Sequence, residues 1–294
     1  MSACEKVGVV LINYNGEAYL CDCVESLLAQ TYDNLEILVW DNHSNDASKE
    51  MIKKKYPQVY LVACKYNYGF AKANNLAVKQ LLKQGVEYLL LLNTDTVADA
   101  FLVERLLEKA DSNTVTTAQI SMGRHGEYIW YAGGELLFDQ GNARHFSDRN
   151  LKKDREVTFI SGCCMMVHKD IIKKYGLFDD NYYMYYEDTD LCMRWHLNGI
   201  HMYCISEAKL WHKIGGSSGG IVNPLKEYYM TRNRLYFIHK YRRYIKTDIF
   251  KVLCETIGKI MMHSETYDIR MIRAVCLGIA DYAMKKMGRS SPGF

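Results

Sequence analysis

The stretch Tyr88–Thr96, Y-L-L-L-L-N-T-D-T, decides the fold of this chain of 294 residues. Its four consecutive leucines are too few to cross a membrane, and they suit a strand that is buried on both faces of a parallel sheet. Asn93, Thr94 and Asp95 follow, so this strand delivers a carboxylate to the edge where open α/β sheets bind ligands. A carboxylate there suits a divalent cation that carries phosphates. A helix cap near Phe101 is an equally good interpretation of Asp95 at this point.

Strand and helix patterns alternate on the N-terminal side of this stretch. Predicted strands cover 7–13, 35–40, 59–64 and 88–92, and predicted helices cover about 19–30, 46–56 and 70–83. Strands that alternate with helices at this spacing indicate βαβ units with right-handed crossovers. We therefore predict an α/β fold, with a mostly parallel sheet and helices on both of its faces.

The loop after the first strand excludes two common kinds of nucleotide site. It reads N-Y-N-G over Asn13–Gly16, and neither a dinucleotide fingerprint nor a phosphate-binding P-loop is present. Polar residues nevertheless follow each of the first four strands: Asn13, Asn15, Asp41, Asn42, Asn67, Gly69, Asn93 and Asp95. Because the carboxyl ends of parallel strands share one edge, these residues are expected to converge on one crevice.

The pattern is looser after Asp95. Strands are predicted over 115–120, 157–168 (broken by Ser161-Gly162), 201–205 and 209–212, with a hairpin over 130–141. Helices are predicted over 187–198, 224–244, 246–263 and 265–287. The acidic run Glu187–Asp190 opens a helix, where the helix dipole favours negative charge. The glycine- and serine-rich loop 215–220 is predicted to be a mobile lid that excludes water.

Composition narrows the class of protein. Hydrophobic residues make up 49% and charged residues 24%, and a net charge of +3 is too small to indicate nucleic-acid binding. The ten cysteines form no C-x-x-C pair, and no signal peptide precedes the first strand, so we expect a reduced, cytoplasmic protein.

Membrane contact, if it occurs, should be peripheral, because no apolar run is long enough to span a bilayer. Basic residues gather after Arg232, and the cluster Arg242–Tyr244 is either a solvated helix face or a lipid contact at the inner face of the plasma membrane. The terminal helices also carry apolar stripes that would suit a homodimer.

Six motifs in order give the chain a resemblance to a known family. They are V-V-L-I-N-Y-N (9–15), V-W-D-N-H-S-N-D-A-S (39–48), N-Y-G-F-A-K-A-N-N (67–75), L-L-L-N-T-D-T (90–96), Y-Y-E-D-T-D-L-C-M-R-W (185–195) and Y-Y-M-T-R-N-R (228–234). With them the chain resembles inverting family 2 glycosyltransferases of the GT-A type, most closely the rhamnosyltransferase-related branch of bacterial polysaccharide synthesis. The resemblance covers roughly residues 6–240.

This resemblance implies a division of the chain into parts. Residues 1–222 would form a Rossmann-like GT-A domain, with a nucleotide-binding half over about 1–98 and an acceptor-binding half over about 99–222. Residues 223–294 would form a C-terminal helical extension.

The resemblance also implies roles for individual residues. Asp41 would contact the nucleobase, and Asn67, Gly69 and Asn74 would line the nucleotide site. Asp95 would be the metal-binding acid of the family's D-x-D position, although Asn93-Thr94-Asp95 carries only one carboxylate there. One acid of the pair Glu187 and Asp188 would be the catalytic base.

The chemistry of sugar transfer points to the same residues. A nucleotide sugar leaves as a diphosphate, so the site needs positive charge for the leaving group and a base for the incoming hydroxyl. Asp95 is predicted to hold Mg²⁺ or Mn²⁺, with His212 either completing the cation site or serving as a structural residue. Arg232, with Asn233 beside it, is predicted to clamp phosphate. A desolvated Asp188 would be a stronger base than free aspartate.

Aromatic residues are the candidates for the acceptor side. Tyr185, Tyr186 and Trp211 are predicted to contact the acceptor sugar, and ordinary core packing is the equally weighted alternative for the tyrosines. Asp190 is interpreted as a helix cap or as a partner of Arg194.

The sequence thus predicts an inverting, metal-dependent glycosyltransferase that binds a dTDP- or UDP-sugar donor, plausibly dTDP-rhamnose, and a saccharide or lipid-linked acceptor. The alternative of another class is a non-catalytic module that binds sugar nucleotides or glycans, which would have no need of Asp188 as a base. A nucleotidyltransferase is disfavoured, because the loop after the first strand is not rich in glycine and arginine. Donor sugar, linkage and oligomeric state stay open at this point.

Overall fold

The computed structural model describes residues 5–123, 126–147, 151–213, 223–262 and 269–290. The predicted lid at 215–220 lies outside these residues. In chain order, the described elements are β1 (Val7–Asn13), α1 (Leu20–Leu28), β2 (Leu35–Asp41), α2 (Ser48–Lys55), β3 (Tyr60–Ala63), α3 (Gly69–Leu82), β4 (Tyr88–Leu92), β5 (Thr96–Ala98), α4 (Leu102–Leu107), β6 (Thr114–Met122), β7 (Tyr128–Tyr131), β8 (Gly134–Leu137), β9 (Asn142–His145), β10 (Arg155–Glu156), β11 (Cys164–His168), α5 (Lys169–Tyr175), α6 (Glu187–Leu197), β12 (His201–His212), α7 (Pro224–Lys240), α8 (Ile249–Met262) and α9 (Ile269–Ala283).

The main sheet runs in the order β10-β12-β6-β11-β4-β1-β2-β3. Strands β1 to β4 are parallel to one another, and β11 is antiparallel between β4 and β6. All five residues of β4 are buried, as their leucine content predicts. The prediction of a mostly parallel α/β sheet is therefore confirmed for this half of the molecule.

The order of the strands fixes where a ligand can bind. From β1 the chain moves outward to β2 and β3, and it then returns to place β4 on the other side of β1. The crossover loops on the two sides diverge at this point, which leaves a crevice at the carboxyl ends of β1 and β4. Asn13 ends β1, and Asn93 follows β4.

Three predictions about the C-terminal half of the sheet were wrong in detail. The two short strands predicted over 201–212 are one strand, β12, whose register against β6 shifts between Ile205 and Lys209. The strand predicted over 157–168 forms a ladder only after its predicted break at Ser161-Gly162, as β11, whereas Phe159 before the break makes only an isolated bridge to Gly134. The predicted hairpin is β8-β9, whereas β7 pairs with β6.

The C-terminal helices are joined to the sheet domain by packing. Leu235 and Phe237 of α7 belong to the same hydrophobic core as the sheet, and α7 also packs along α9. A Cβ at Gly278 of α9 would lie 2.8 Å from the carbonyl oxygen of Tyr228, so glycine allows this close helix contact. Within the described part of the chain, no helix has both the length and the apolarity to span a membrane.

Candidate active site

Asp95 and His212 are brought together by a short strand ladder. Strand β5 pairs antiparallel with the end of β12, so that His212 stands opposite Thr96. As a result, Asp95 Oδ1 and His212 Nε2 are 3.1 Å apart, and their side chains are only 9% and 15% exposed. The backbone N–H of Lys213 also donates to the Asp95 carbonyl at 2.8 Å.

This pair has the donor chemistry of a cation site. Both ring nitrogens of His212 are buried, yet neither makes a hydrogen bond. Nε2 is close to Asp95 Oδ1, but the two groups are not aligned for a hydrogen bond. A neutral imidazole nitrogen beside a carboxylate oxygen suits a divalent cation such as Mn²⁺. No cluster of three potential ligands among His, Cys, Asp and Glu occurs in the described residues. A cation held by this pair would need further ligands, for which a diphosphate and water are the candidates.

The alternative role of Asp95 as a helix cap is not observed, because no side chain caps the start of α4. The backbone N–H of Phe101, just before α4, donates to Asp99 Oδ1 at 3.0 Å. Asp95 is thus left at the crevice.

Asp188 lies one strand away from Asp95. Its Oδ2 accepts from the backbone N–H of Gly162 at 3.2 Å, just before β11. The next residue, Cys163, accepts through its carbonyl from the backbone N–H of Asn93 at 3.0 Å. Because β11 and β4 are neighbours, Asp188 and Asp95 face the same end of the sheet.

The two acids of α6 differ in their surroundings. Burial raises the pKa of Asp188, but hydrogen bonds from Gly162 and Thr189 to its carboxylate work in the opposite direction. Burial also raises the pKa of Glu187, to well above its ordinary value, and the charge of Asp188 raises it further. Glu187 Oε2 is buried without a hydrogen-bond partner. Burial and the charge of Asp188 therefore favour the protonated form of Glu187, whereas the hydrogen bonds to Asp188 favour its anion.

The turn directly before α6 has a strained backbone and positions these two acids. Tyr185 and Tyr186 both have left-handed backbones, with φ of 66° and 70°, a conformation that costs on the order of 1–3 kcal/mol per residue. Asn233 of α7 stabilises the turn, since its Nδ2 donates to the carbonyls of Met184 at 2.9 Å and Tyr185 at 2.8 Å. Asn233 is fully buried. In this structure its amide thus positions the turn before α6, a use that the sequence did not suggest.

Arg232 is also fully buried. Its Nη1 donates to the carbonyl of Gly288 at 2.8 Å, and its Nε donates to Asn233 Oδ1 at 3.0 Å. The predicted phosphate clamp would require an accessible guanidinium. The structure corrects that prediction, because Arg232 is engaged with the end of the chain.

Asn13 and Asp41 form a buried support under the crevice. Asn13 Nδ2 donates to Asp41 Oδ1 at 2.9 Å, and Asp41 Oδ2 accepts from the backbone N–H of Ser44 at 3.0 Å. Both side chains are 0% exposed. Their direct contact with a nucleotide stays a prediction, while their role in holding the loop after β2 is visible. Asn15 lies above them and accepts from the backbone N–H of Asn45 at 2.9 Å.

Asn67 organises the outer end of the crevice. Its Oδ1 accepts from Asn42 Nδ2 at 3.0 Å, from the Gly69 N–H at 2.9 Å and from the Tyr183 hydroxyl at 2.8 Å. Gly69 has φ of 78°, and a Cβ there would lie 2.4 Å from Tyr183, so only glycine fits. Asn74 is 1% exposed and bonds the Phe70 carbonyl.

Tyr183 is a site residue that the sequence did not single out from its neighbours. Its ring stacks on Tyr229 with centroids 5.2 Å apart, and its carbonyl accepts from the Phe70 N–H at 2.7 Å. The run of tyrosines carries no local signal that distinguishes this one, because the contact with Asn67 joins residues far apart in the chain.

The predicted acceptor residues occupy different positions. Tyr185 is half-buried, and Tyr186 is 4% exposed with its hydroxyl bonded to Asn142 Oδ1 at 3.2 Å. Trp211 is half-buried and donates its indole N–H to the Gly123 carbonyl at 2.8 Å. Their contact with an acceptor stays a prediction. Asp190 does pair with Arg194, with Nη2 and Oδ2 3.4 Å apart, and lies 2.7 Å from Lys240 Nζ.

Two rhamnosyltransferases are similar to this chain in sequence. dTDP-rhamnosyl transferase RfbF of Shigella flexneri is 24% identical over 258 residues, which cover 80% of this chain and 80% of the relative. N-acetylglucosaminyl-diphospho-decaprenol L-rhamnosyltransferase of Mycobacterium tuberculosis is 24% identical over 237 residues, which cover 72% of this chain and 77% of the relative.

Two solved structures share the fold at low sequence identity. S. aureus TarS 1-349 in complex with UDP-GlcNAc superposes with a TM-score of 0.62 at 17% identity, over 94% of this chain and 80% of that one. GalNAc-T7 with UDP, GalNAc and Mn²⁺ superposes with a TM-score of 0.65 at 17% identity, over 81% of this chain and 48% of that one. These likenesses confirm the predicted GT-A type of fold.

A family model described as Glycosyl transferase family 2 matches residues 8–176. The match contains the first four strands and the polar strand ends that carry Asp41, Asn67 and Asp95. Because it spans more than half of the chain, this protein belongs to glycosyl transferase family 2.

Proposed function

We propose that this glycosyltransferase is inverting and metal-dependent, and that it transfers L-rhamnose from dTDP-rhamnose to a saccharide or lipid-linked saccharide in the synthesis of a cell-surface polysaccharide. The observation that carries the proposal is the convergence at one sheet end of the Asp95–His212 pair with the carboxylate of Asp188. A module that only binds glycans has no use for a base beside a cation site.

Asp188 acts as the general base. It accepts the proton of the acceptor hydroxyl while that oxygen bonds to the anomeric carbon of the donor and the bond to the diphosphate breaks on the opposite face. Its raised pKa, which burial causes, makes it a stronger base than free aspartate, and the hydrogen bonds from Gly162 and Thr189 hold the carboxylate in place. Glu187 stays protonated behind it.

Asp95 and His212 would hold the divalent cation. A bound Mg²⁺ or Mn²⁺ would supply positive charge to the leaving diphosphate. The β5-β12 ladder fixes both side chains before a ligand arrives, so little reorganisation is needed on binding.

The donor and acceptor are proposed from the relatives. RfbF of Shigella flexneri is named a dTDP-rhamnosyl transferase, and the M. tuberculosis relative is named for a diphospho-decaprenol acceptor. Tyr185, Tyr186 and Trp211 are retained as the proposed acceptor contacts.

The setting is proposed to be the cytoplasmic side of the plasma membrane. The nine described cysteines are all free thiols, as expected for a reducing compartment. Arg242, Arg243 and Tyr244 are exposed after α7, and Phe250 of α8 is 76% exposed. This basic and aromatic surface suits peripheral contact with anionic lipid. We also propose a homodimer, in which the apolar faces of the terminal helices would pack against each other.

A donor screen tests the proposed function. Free nucleoside diphosphate should be released from dTDP-rhamnose in the presence of a saccharide acceptor, and more slowly from UDP- and GDP-sugars. The product should have the anomeric configuration opposite to that of the donor. If tight donor binding occurs without release of any nucleoside diphosphate, the chain is a binding module and the proposal fails.

A further inference from the structure

The last described residues, 284–290, form a segment that turns back from α9 onto the rest of the molecule. We call it the C-terminal segment. Gly288, with φ of 75°, donates its N–H to the Asn181 carbonyl at 2.8 Å, in the loop before α6. Ser290 and Tyr229 exchange two hydrogen bonds: the Ser290 N–H donates to the hydroxyl at 3.0 Å, and the hydroxyl donates to the Ser290 carbonyl at 3.1 Å.

Arg232 anchors the C-terminal segment from within α7. Its Nη1 donates to the Gly288 carbonyl at 2.8 Å and lies 3.4 Å from the Lys286 carbonyl oxygen. The guanidinium also packs over Tyr228 and Tyr229, at 5.4 and 4.9 Å from their ring centroids. A fully buried cation with these partners holds the segment at a defined position.

The anchored segment carries a second guanidinium, Arg289, to the outer end of the crevice. Arg289 Nη1 is 3.5 Å from the carbonyl oxygen of Asn67, in the loop after β3. Burial raises the pKa of Tyr183, and the charge of Arg289 partly offsets that rise, so the cation also lies near this ring. Arg289 is exposed, and no carboxylate in the described part of the chain pairs with it.

The order of the strands separates the loop that Arg289 contacts from the end of β4, where Asp95 follows. Strand β3 is three places from β4 in the sheet, and a spacing of about 4.8 Å between strands puts their ends about 14 Å apart. A diphosphate bound at Asp95 would therefore place its nucleoside near Asn67. An exposed guanidinium there has planar N–H donors to offer to carbonyl or phosphoryl oxygens.

We propose that Arg289 binds an oxygen acceptor of the donor nucleotide at its nucleoside end, and that Arg232 positions Arg289 by holding the C-terminal segment. The inference rests on the proposed use of a nucleotide sugar. By this inference the C-terminal segment forms part of the donor site, although it lies outside the six sequence motifs and follows all of them in the chain.

The test is nucleotide binding by isothermal titration calorimetry in the full chain. Arg289→Ala should raise the Kd for dTDP or UDP about tenfold, since a hydrogen bond with a charged donor is stronger than one between neutral groups. Lys286→Ala is the matched control, because it removes an equally exposed cation from the same segment, and its Kd should equal that of the wild type. Thymidine and uridine identify the acceptor. An equal loss of affinity for the nucleosides supports contact with the nucleoside, whereas a loss confined to the diphosphates places Arg289 at the phosphates and overturns the inference.

A double-mutant cycle tests the positioning role. Arg232→Lys should weaken nucleotide binding in the wild-type background and have no further effect in the Arg289→Ala background. If Arg232→Lys lowers the Tm and leaves the Kd unchanged, its role is only structural and the positioning claim fails.

The outcomes separate this inference from the proposed function. Equal Kd values for the wild type and Arg289→Ala overturn the inference alone. A wild type that binds dTDP or UDP without transferring a sugar overturns the proposed function alone. A wild type that binds neither nucleotide overturns both.

Discussion

Replacement of Asp188 by asparagine is expected to stop catalysis while leaving the fold intact. The asparagine oxygen can still accept from the Thr189 N–H, which lies 2.7 Å from Oδ1 of Asp188. The amide nitrogen would face the Gly162 N–H and lose that bond, now 3.2 Å. An unsatisfied buried donor costs about 1–3 kcal/mol, but the substitution also removes a carboxylate whose charge burial disfavours. The two changes oppose each other, so we expect little loss of stability.

The loss of turnover should be much larger. General-base catalysis contributes ~10²–10⁴-fold, which corresponds to about 2.7–5.4 kcal/mol of transition-state stabilisation. Asp188→Asn should therefore slow single-turnover release of the nucleoside diphosphate by at least about 100-fold. Donor affinity, measured by calorimetry, should hardly change, because the base faces the acceptor.

Glu187→Gln is the matched control, since it makes the same chemical change in the adjacent acid. Its turnover should stay close to that of the wild type, because burial and the charge of Asp188 raise the pKa of Glu187 and favour its protonated form. A fast Asp188→Asn together with a slow Glu187→Gln would move the base by one residue. If both variants are fast, the proposed mechanism is refuted.

Three further predictions concern the cation, the buried acid and the membrane. Asp95→Ala should abolish turnover that depends on Mg²⁺ or Mn²⁺, whereas Asp99→Ala, in the loop before α4, should keep it. Wild-type activity in the presence of a chelator would contradict the cation role. The folded-state pKa of Glu187 lies well above its ordinary value of 4.5, so its contribution to stability is present below that value and is lost as the pH rises through the folded-state pKa. Calorimetry should accordingly show a higher Tm for Glu187→Gln than for the wild type at pH 8, and a smaller difference between the two Tm values at pH 4. If the difference in Tm is the same at both pH values, Glu187 is not a buried acid with a raised pKa. At low salt, the wild type should sediment with anionic vesicles, and the double variant of Arg242 and Arg243 to alanine should stay in the supernatant. Each basic residue near such a surface contributes about 1 kcal/mol to binding. If both proteins sediment with the vesicles equally, these arginines do not bind lipid.

The local pattern of the sequence was enough to predict the α/β fold. Each strand or helix buries its own apolar face, and the spacing of apolar residues along consecutive positions determines that face. This local pattern predicts both the buried strand Tyr88–Leu92 and the alternation of strands and helices before it. The six motifs likewise identified the family, because they report side-chain types at fixed spacing. The predicted division at residue 222 stays a proposal, since α7 shares the core of the sheet.

The partners of individual side chains were decided only by the tertiary structure. His212 lies beside Asp95 because β5 pairs with β12, although more than a hundred residues separate the two strands in the chain. Arg232 looked like a phosphate ligand from its motif, yet it is buried against the C-terminal segment, while the exposed Arg289 lies at the crevice. The physical reason is that residue type and periodicity set which side chains are buried or charged, whereas sheet register and helix docking set what each of them meets.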